Sequence, residues 1–194
     1  MTSVHPIEVE SYRILAERVD LSVFGPLSAA VVARVIHASA DLEYAETMIV
    51  EDAAVEAGVA ALAAGAPVVV DVEMVRHGMT GGHAECFLPG SAPEGTTRSA
   101  AGMALAAERH PHGAVVVVGC APTALDEVVR LHRAGRFSPA LVVGLPVGFV
   151  GATESKERLR ASGLASVSNV GEKGGSAVAA AAVNALARLA ATDG

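Results

Sequence analysis

The sequence predicts one α/β domain built on a mostly parallel sheet covered by helices on both faces. Three observations carry this prediction: short valine-rich runs recur along the chain, helical stretches separate them, and three runs end in glycine turns that lead into helices. Those exits are Val115-Val116-Val117-Val118-Gly119-Cys120-Ala121-Pro122-Thr123, Leu141-Val142-Val143-Gly144-Leu145-Pro146-Val147-Gly148 and Val170-Gly171-Glu172-Lys173-Gly174-Gly175-Ser176. Parallel α/β folds build ligand sites this way, because glycine lets backbone N–H groups reach a ligand at a helix N-terminus.

In chain order, Pro6 marks a first helical position, with Glu8 and Glu10 in the first turn and Arg18 near the end of a helix that stops near Asp20. Pro26 opens a second helix that runs to about His37. Val55, Val59 and Leu62 recur at helical spacing in a third helix, which Gly65 terminates. The period then changes. Residues 67–75, 114–119 and 140–144, and more weakly 165–170, are continuous apolar runs of the kind that buried parallel strands show. Helices are predicted over 97–109, 123–134 and 153–161, with a last one from Ser176 to about Ala190. This alternation gives a three-layer αβα, Rossmann-like arrangement and a single domain over residues 1–194. Residues 76–95, with several glycines, two prolines, two histidines and Cys86, read as a long loop or hairpin that forms a flap over the strand exits.

Composition narrows the function. The chain has 194 residues, 52% of them apolar, which suffices for one buried core. Net charge is −7 and the basic residues are scattered, so neither a nucleic-acid footprint nor a polybasic membrane patch is visible. No apolar run reaches the roughly 18 residues of a membrane span, and the polar start of the chain lacks the apolar core of a signal peptide, so a cytoplasmic location is expected. Cys86 and Cys120 form no disulfide framework and are expected to be reduced. Aromatic residues make up 3% of the chain and alanine is abundant; small side chains bury little area each, which favours a homodimer that buries more.

Among the charged residues, Arg98 stands out, because Thr96 or Thr97 is a natural N-cap and a cation in the first helical turn opposes the helix dipole. Lys173 repeats the arrangement before the final helix. Two cations at two helix N-termini, with glycine turns, point to a ligand bearing several carboxylates or phosphates. Nucleotide loops of the G-x-x-x-x-G-K-[ST] or G-x-G-x-x-G type are absent from the sequence, as is a G-x-S-x-G elbow. His37 projects roughly 80° or more from the Leu27, Val31 and Val35 stripe, beside Ala30, Ala33 and Arg34. It can serve as a general acid near neutral pH or simply cap the last carbonyls of its helix. His77, His83 and Cys86 match no strong metal-ligand spacing, so no metal centre is expected. Cys120, beside a helix N-terminus, is a place where a thiol pKa could fall, but no base accompanies it, and inert packing is the preferred reading.

The motifs Arg13-Ile14, Val35-Ile36-His37-Ala38, Gly65-Ala66-Pro67, Asp71-Val72-Glu73-Met74-Val75, Thr97-Arg98-Ser99-Ala100, Ala121-Pro122-Thr123-Ala124-Leu125, Pro146-Val147-Gly148-Phe149-Val150-Gly151 with Glu154-Ser155-Lys156-Glu157, and Lys173-Gly174-Gly175-Ser176 fall in an order that resembles the precorrin-8X methylmutase family. The resemblance spans about residues 10–189. It implies an isomerase of cobalamin biosynthesis that moves a methyl group from C11 to C12 of precorrin-8 or cobalt-precorrin-8, giving hydrogenobyrinic or cobyrinic acid. No cofactor is implied, and cobalt enters only as part of the substrate. His37 matches the family's catalytic acid. Thr97, Arg98, Arg13, Lys173 and the backbone at Gly174, Gly175 and Ser176 would hold the peripheral carboxylates of a corrin ring. One departure is Cys120, which stands where the family usually has Asn. The rival reading is a corrinoid-binding paralogue without turnover.

Overall fold

The structure, a computed structural model, describes residues 5–81 and 83–192; residues 1–4 of the polar start, Gly82 within the expected flap, and 193–194 lie outside the described residues. Helix α1 (Pro6–Arg18) has Pro6 at its start and the His5 imidazole accepting from the Ile7 amide; α2 (Pro26–Ser39) likewise begins on proline and ends at Ala40 in the left-handed region, φ +53°. A short helix α3 (Tyr44–Thr47) and strand β1 (Met48–Val50) follow, then α4 (Asp52–Ala63), β2 (Val68–Val70), α5 (Glu73–Gly78), β3 (Ala84–Cys86), α6 (Arg98–Arg109), β4 (Val115–Val118), α7 (Pro122–Arg133), β5 (Leu141–Gly144), α8 (Ala152–Arg160), β6 (Ser166–Asn169) and α9 (Ser176–Thr192).

The strands form one sheet in the order β1-β6-β5-β4-β2-β3, parallel throughout except for β1, which runs antiparallel to β6. The alternation of side chains along each strand divides the core in two. Val68, Val70, Val115, Val117, Leu141, Val143 and Val167 pack with α2, α4 and α9, whereas Val69, Val116, Val118 and Val142 pack with α6, α7 and α8. This is the expected three-layer α/β domain.

Two expectations need correction, and one strand was unforeseen. The 67–75 run is a strand only over Val68–Val70, because Asp71 turns back to the β4 exit and α5 starts at Glu73. Residues 76–95 are not one long loop: α5 ends there, and β3 pairs in parallel with β2 at the sheet edge. That pairing anchors the middle of the segment expected as a flap. The edge strand β1 was not expected at all; its three residues carry no periodicity of their own and are held by pairing with β6.

Candidate active site

Chain order reverses between β2 and β4, the position at which open parallel sheets leave a crevice beyond the strand ends. Here the amides at the β4 exit meet the protein's own anion. The buried Asp71 carboxylate, at the end of β2, accepts from the backbone N–H groups of Gly119, Cys120 and Ala121 at 3.0, 2.9 and 2.9 Å. Burial raises the Asp71 pKa, against the lowering effect of those three amides. The amide cluster of the kind that cradles a phosphate is therefore already occupied. Burial, reinforced by the same carboxylate, pushes the Cys120 thiol up, so it is not an activated thiolate.

His37 sits in the last turn of α2, half-buried under α1. Its ring stacks on Tyr12, with centroids 4.9 Å apart and planes 8° from parallel, and its Nδ1 lies 2.9 Å from the Ser11 hydroxyl. Two faces of the imidazole are thus fixed by α1. In the imidazolium, Nδ1–H donates to Ser11 and Nε2–H remains for a substrate. One turn earlier, Arg34 meets the Glu8 carboxylate at 3.1 Å, and Arg188 of α9 meets the same oxygen at 2.7 Å. Arginine neighbours hold Glu8 below the usual carboxylate range. The Arg34 Nε is buried and has no partner among the described residues. Tyr12 and Ala33 border a surface cleft of about 530 Å³ whose lining runs on to Phe24 and Pro26 and does not include His37.

The turn from β6 into α9 reaches the chain just past the end of α2. Asp41, just past the end of α2, and Glu43 both accept from Lys173 Nζ at 2.6 Å, which raises the Lys173 pKa. The anions that meet Lys173 are therefore two carboxylates of the protein itself. Gly174 is required by space: a Cβ there would lie 2.3 Å from the Leu145 carbonyl oxygen. The Gly175 amide donates to that carbonyl at 2.9 Å, so this N–H is already engaged, and Ser176 begins α9.

Thr97 is the N-cap of α6, accepting from the Ala100 amide, and its hydroxyl meets that of Thr123 at 2.7 Å in the first turn of α7. Arg98 follows at the first helical position, where its Nε donates to the Pro89 carbonyl at 2.7 Å. Thr97 and Thr123 border a cleft of about 600 Å³ with Arg133, and with Arg130 and Arg158, which pair with Glu127 and Asp126. Arg13 faces outward and is paired with Glu10 and Glu17 of its own helix. The structure thus links the chain just past α2 to Lys173 through Asp41, places Thr97 and Arg98 together beside Thr123 after the β4 exit, and leaves Arg13 exposed. Ser11 and Tyr12 are additions that the sequence did not single out; Asp71 was present only within a quoted motif, and Arg34 only as a neighbour of His37. Among the described residues no cluster of His, Cys, Asp and Glu could hold a metal ion, and no helix is long and apolar enough to cross a membrane.

Comparison with known proteins gives a consistent result. The family model of CbiC, precorrin-8X methylmutase, matches residues 6–189. A precorrin-8X methylmutase of a Sinorhizobium species is 41% identical over 192 residues, covering 92% of this chain and 91% of the relative. The cobalt-precorrin-8 methylmutase of Methanocaldococcus jannaschii is 38% identical over 179 residues, 89% of this chain and 84% of the relative. The crystal structure of a precorrin-8x methyl mutase from Thermus thermophilus superposes with a TM-score of 0.87 at 40% identity, covering 97% of both chains. With its fold, motif order and near full-length match, the chain belongs to the precorrin-8X methylmutase family.

Proposed function

We propose that this methylmutase isomerises a corrin-ring polycarboxylate, precorrin-8 or its cobalt form, with His37 as the general acid. Proton donation from Nε2 to the macrocycle draws electron density toward the ring, the C11–CH3 bond breaks and a C12–CH3 bond forms, and the proton is returned as the product relaxes. Atoms and electrons balance within one molecule, so no redox cofactor is consumed, and cobalt is carried only by the substrate. The observation that carries this reading is the fixed imidazole: stacked on Tyr12 and bonded at Nδ1 to Ser11, it keeps one nitrogen for the substrate. Thr97, Arg98, Arg13, Lys173 and the backbone of Gly174, Gly175 and Ser176 would bind peripheral carboxylates, the cations and the Gly175 amide by exchanging present partners for substrate anions. Holding the ring in one conformation and tautomer supplies much of the remaining acceleration.

Relatives named for the cobalt-free and the cobalt forms stand at comparable identity. Incubation with each substrate, followed by the visible spectrum of the rearranged chromophore, decides between them; binding without conversion of either favours a corrinoid-binding paralogue. The cytoplasm is the location that fits this chemistry. A homodimer fits the surface, where Phe149 and Val150, in the turn before α8, are 92% and 88% exposed.

A further inference from the structure

Lys156 lies in the charged helix α8, yet its side chain is fully buried. Its Nζ donates to Asn169 Oδ1 at 2.9 Å and to the Lys173 carbonyl at 2.8 Å. Asn169 Nδ2 in turn donates to the carbonyls of Val170 and Lys173 at 3.2 and 2.9 Å. The turn so gripped is also tied to the neighbouring exit, where the Gly148 amide donates to the Glu172 carbonyl at 3.1 Å and the Gly175 amide to Leu145. Arg160 of the same helix donates to the Ser168 hydroxyl and the Asn169 carbonyl. The charged groups that act on the ammonium are Arg160 and Glu172, and among the described residues no carboxylate forms an ion pair with it.

An ammonium withdrawn from water without an anionic partner costs stability, and an apolar side chain of similar volume would fill the site at lower cost. The compensation lies in what the amine shapes. We propose that Lys156 is a positioning residue for substrate binding: it fixes the 170–175 turn so that Lys173 and the start of α9 meet the carboxylates of the corrin ring. This role rests on the methylmutase reading above. Lys156 touches no substrate; it acts through Asn169 and the Lys173 carbonyl.

The test uses the full chain with Lys156→Met and Asn169→Ala, with hydrogenobyrinic acid as the binding probe and precorrin-8 as substrate. Lys156→Met is expected to melt at or above the wild-type temperature, to weaken binding of the probe by about tenfold or more, and to raise KM while kcat changes by less than about threefold. A folded Lys156→Met that binds the probe within about twofold of wild type, or that loses only kcat, overturns the proposal. If Lys156→Met fails to fold, Asn169→Ala decides by the same criteria. Wild type is measured alongside with precorrin-8 and with its cobalt form: if it neither binds the probe nor converts either substrate, the methylmutase reading fails, whereas a variant that matches an active wild type on the converted substrate defeats only the role of Lys156.

Discussion

The Ser11 hydroxyl, on α1, stands 2.9 Å from Nδ1 of His37, on α2, and so determines which imidazole nitrogen is left for chemistry. A single bond between two helices thereby sets the direction of proton delivery. Ser11→Ala is expected to lower kcat by about tenfold, the equivalent of one lost hydrogen bond, with KM within about twofold. Steady-state kinetics across pH checks this; an unchanged kcat and pH profile would remove Ser11 from the positioning of His37.

Substitution of the acid itself has a larger effect. His37→Ala is expected to lower kcat by at least about 100-fold while leaving the Kd for product within about threefold, measured by single turnover and by titration of the corrin chromophore. Turnover at the wild-type rate would reassign the acid.

Asp71 contributes to stability rather than to turnover. Asp71→Ala leaves the amides of Gly119, Cys120 and Ala121 without their acceptor and is expected to cost about 3 kcal/mol in urea unfolding. A loss below about 0.5 kcal/mol would show that water or a shifted turn satisfies them.

Lys156 predicts an unusual pH response. Burial, reinforced by Arg160 and opposed by Glu172, lowers its pKa from 10.5 to about 8. Below pH 8 the folded and unfolded chains both hold the proton; between about 8 and 10.5 only the unfolded chain does. The unfolded state then binds more protons, so this group makes stability rise with pH across that window. Urea unfolding of wild type and Lys156→Met should diverge there, the wild type gaining relative to the variant. Parallel curves would show that the amine is not strained by burial.

Phe149 tests the assembly. Phe149→Glu places a charge in the most exposed apolar patch and is expected to halve the mass in light scattering if that turn forms the subunit contact. An unchanged mass would place the contact elsewhere.

The sequence was most informative where one local signal dominated. β4 is four valines and could be read as nothing but a buried strand, and Pro122 and Pro26 marked helix starts. Edge strands β1 and β3 were illegible because three residues gain their identity from the strand beside them, not from pattern. His37 was legible from its position off the core stripe and from its Ile-His-Ala setting, whereas Ser11 and Tyr12 became visible only when α1 was laid across α2. Lys156 was hidden by its company: Glu154-Ser155-Lys156-Glu157-Arg158 reads as a solvated face, and only the fold reveals that one of these charges points inward.

A Cβ on Gly119 would lie 2.8 Å from the methyl of Ala179 and from Val75, because α9 rests directly on the end of β4 with no side chain between them. The helix is therefore seated at the limit of approach, and its first turn serves as a fixed jamb rather than a movable wall. Adapting this scaffold to a bulkier or differently decorated ring would have to proceed through the 145–151 and 88–97 connections, leaving the seat of α9 untouched.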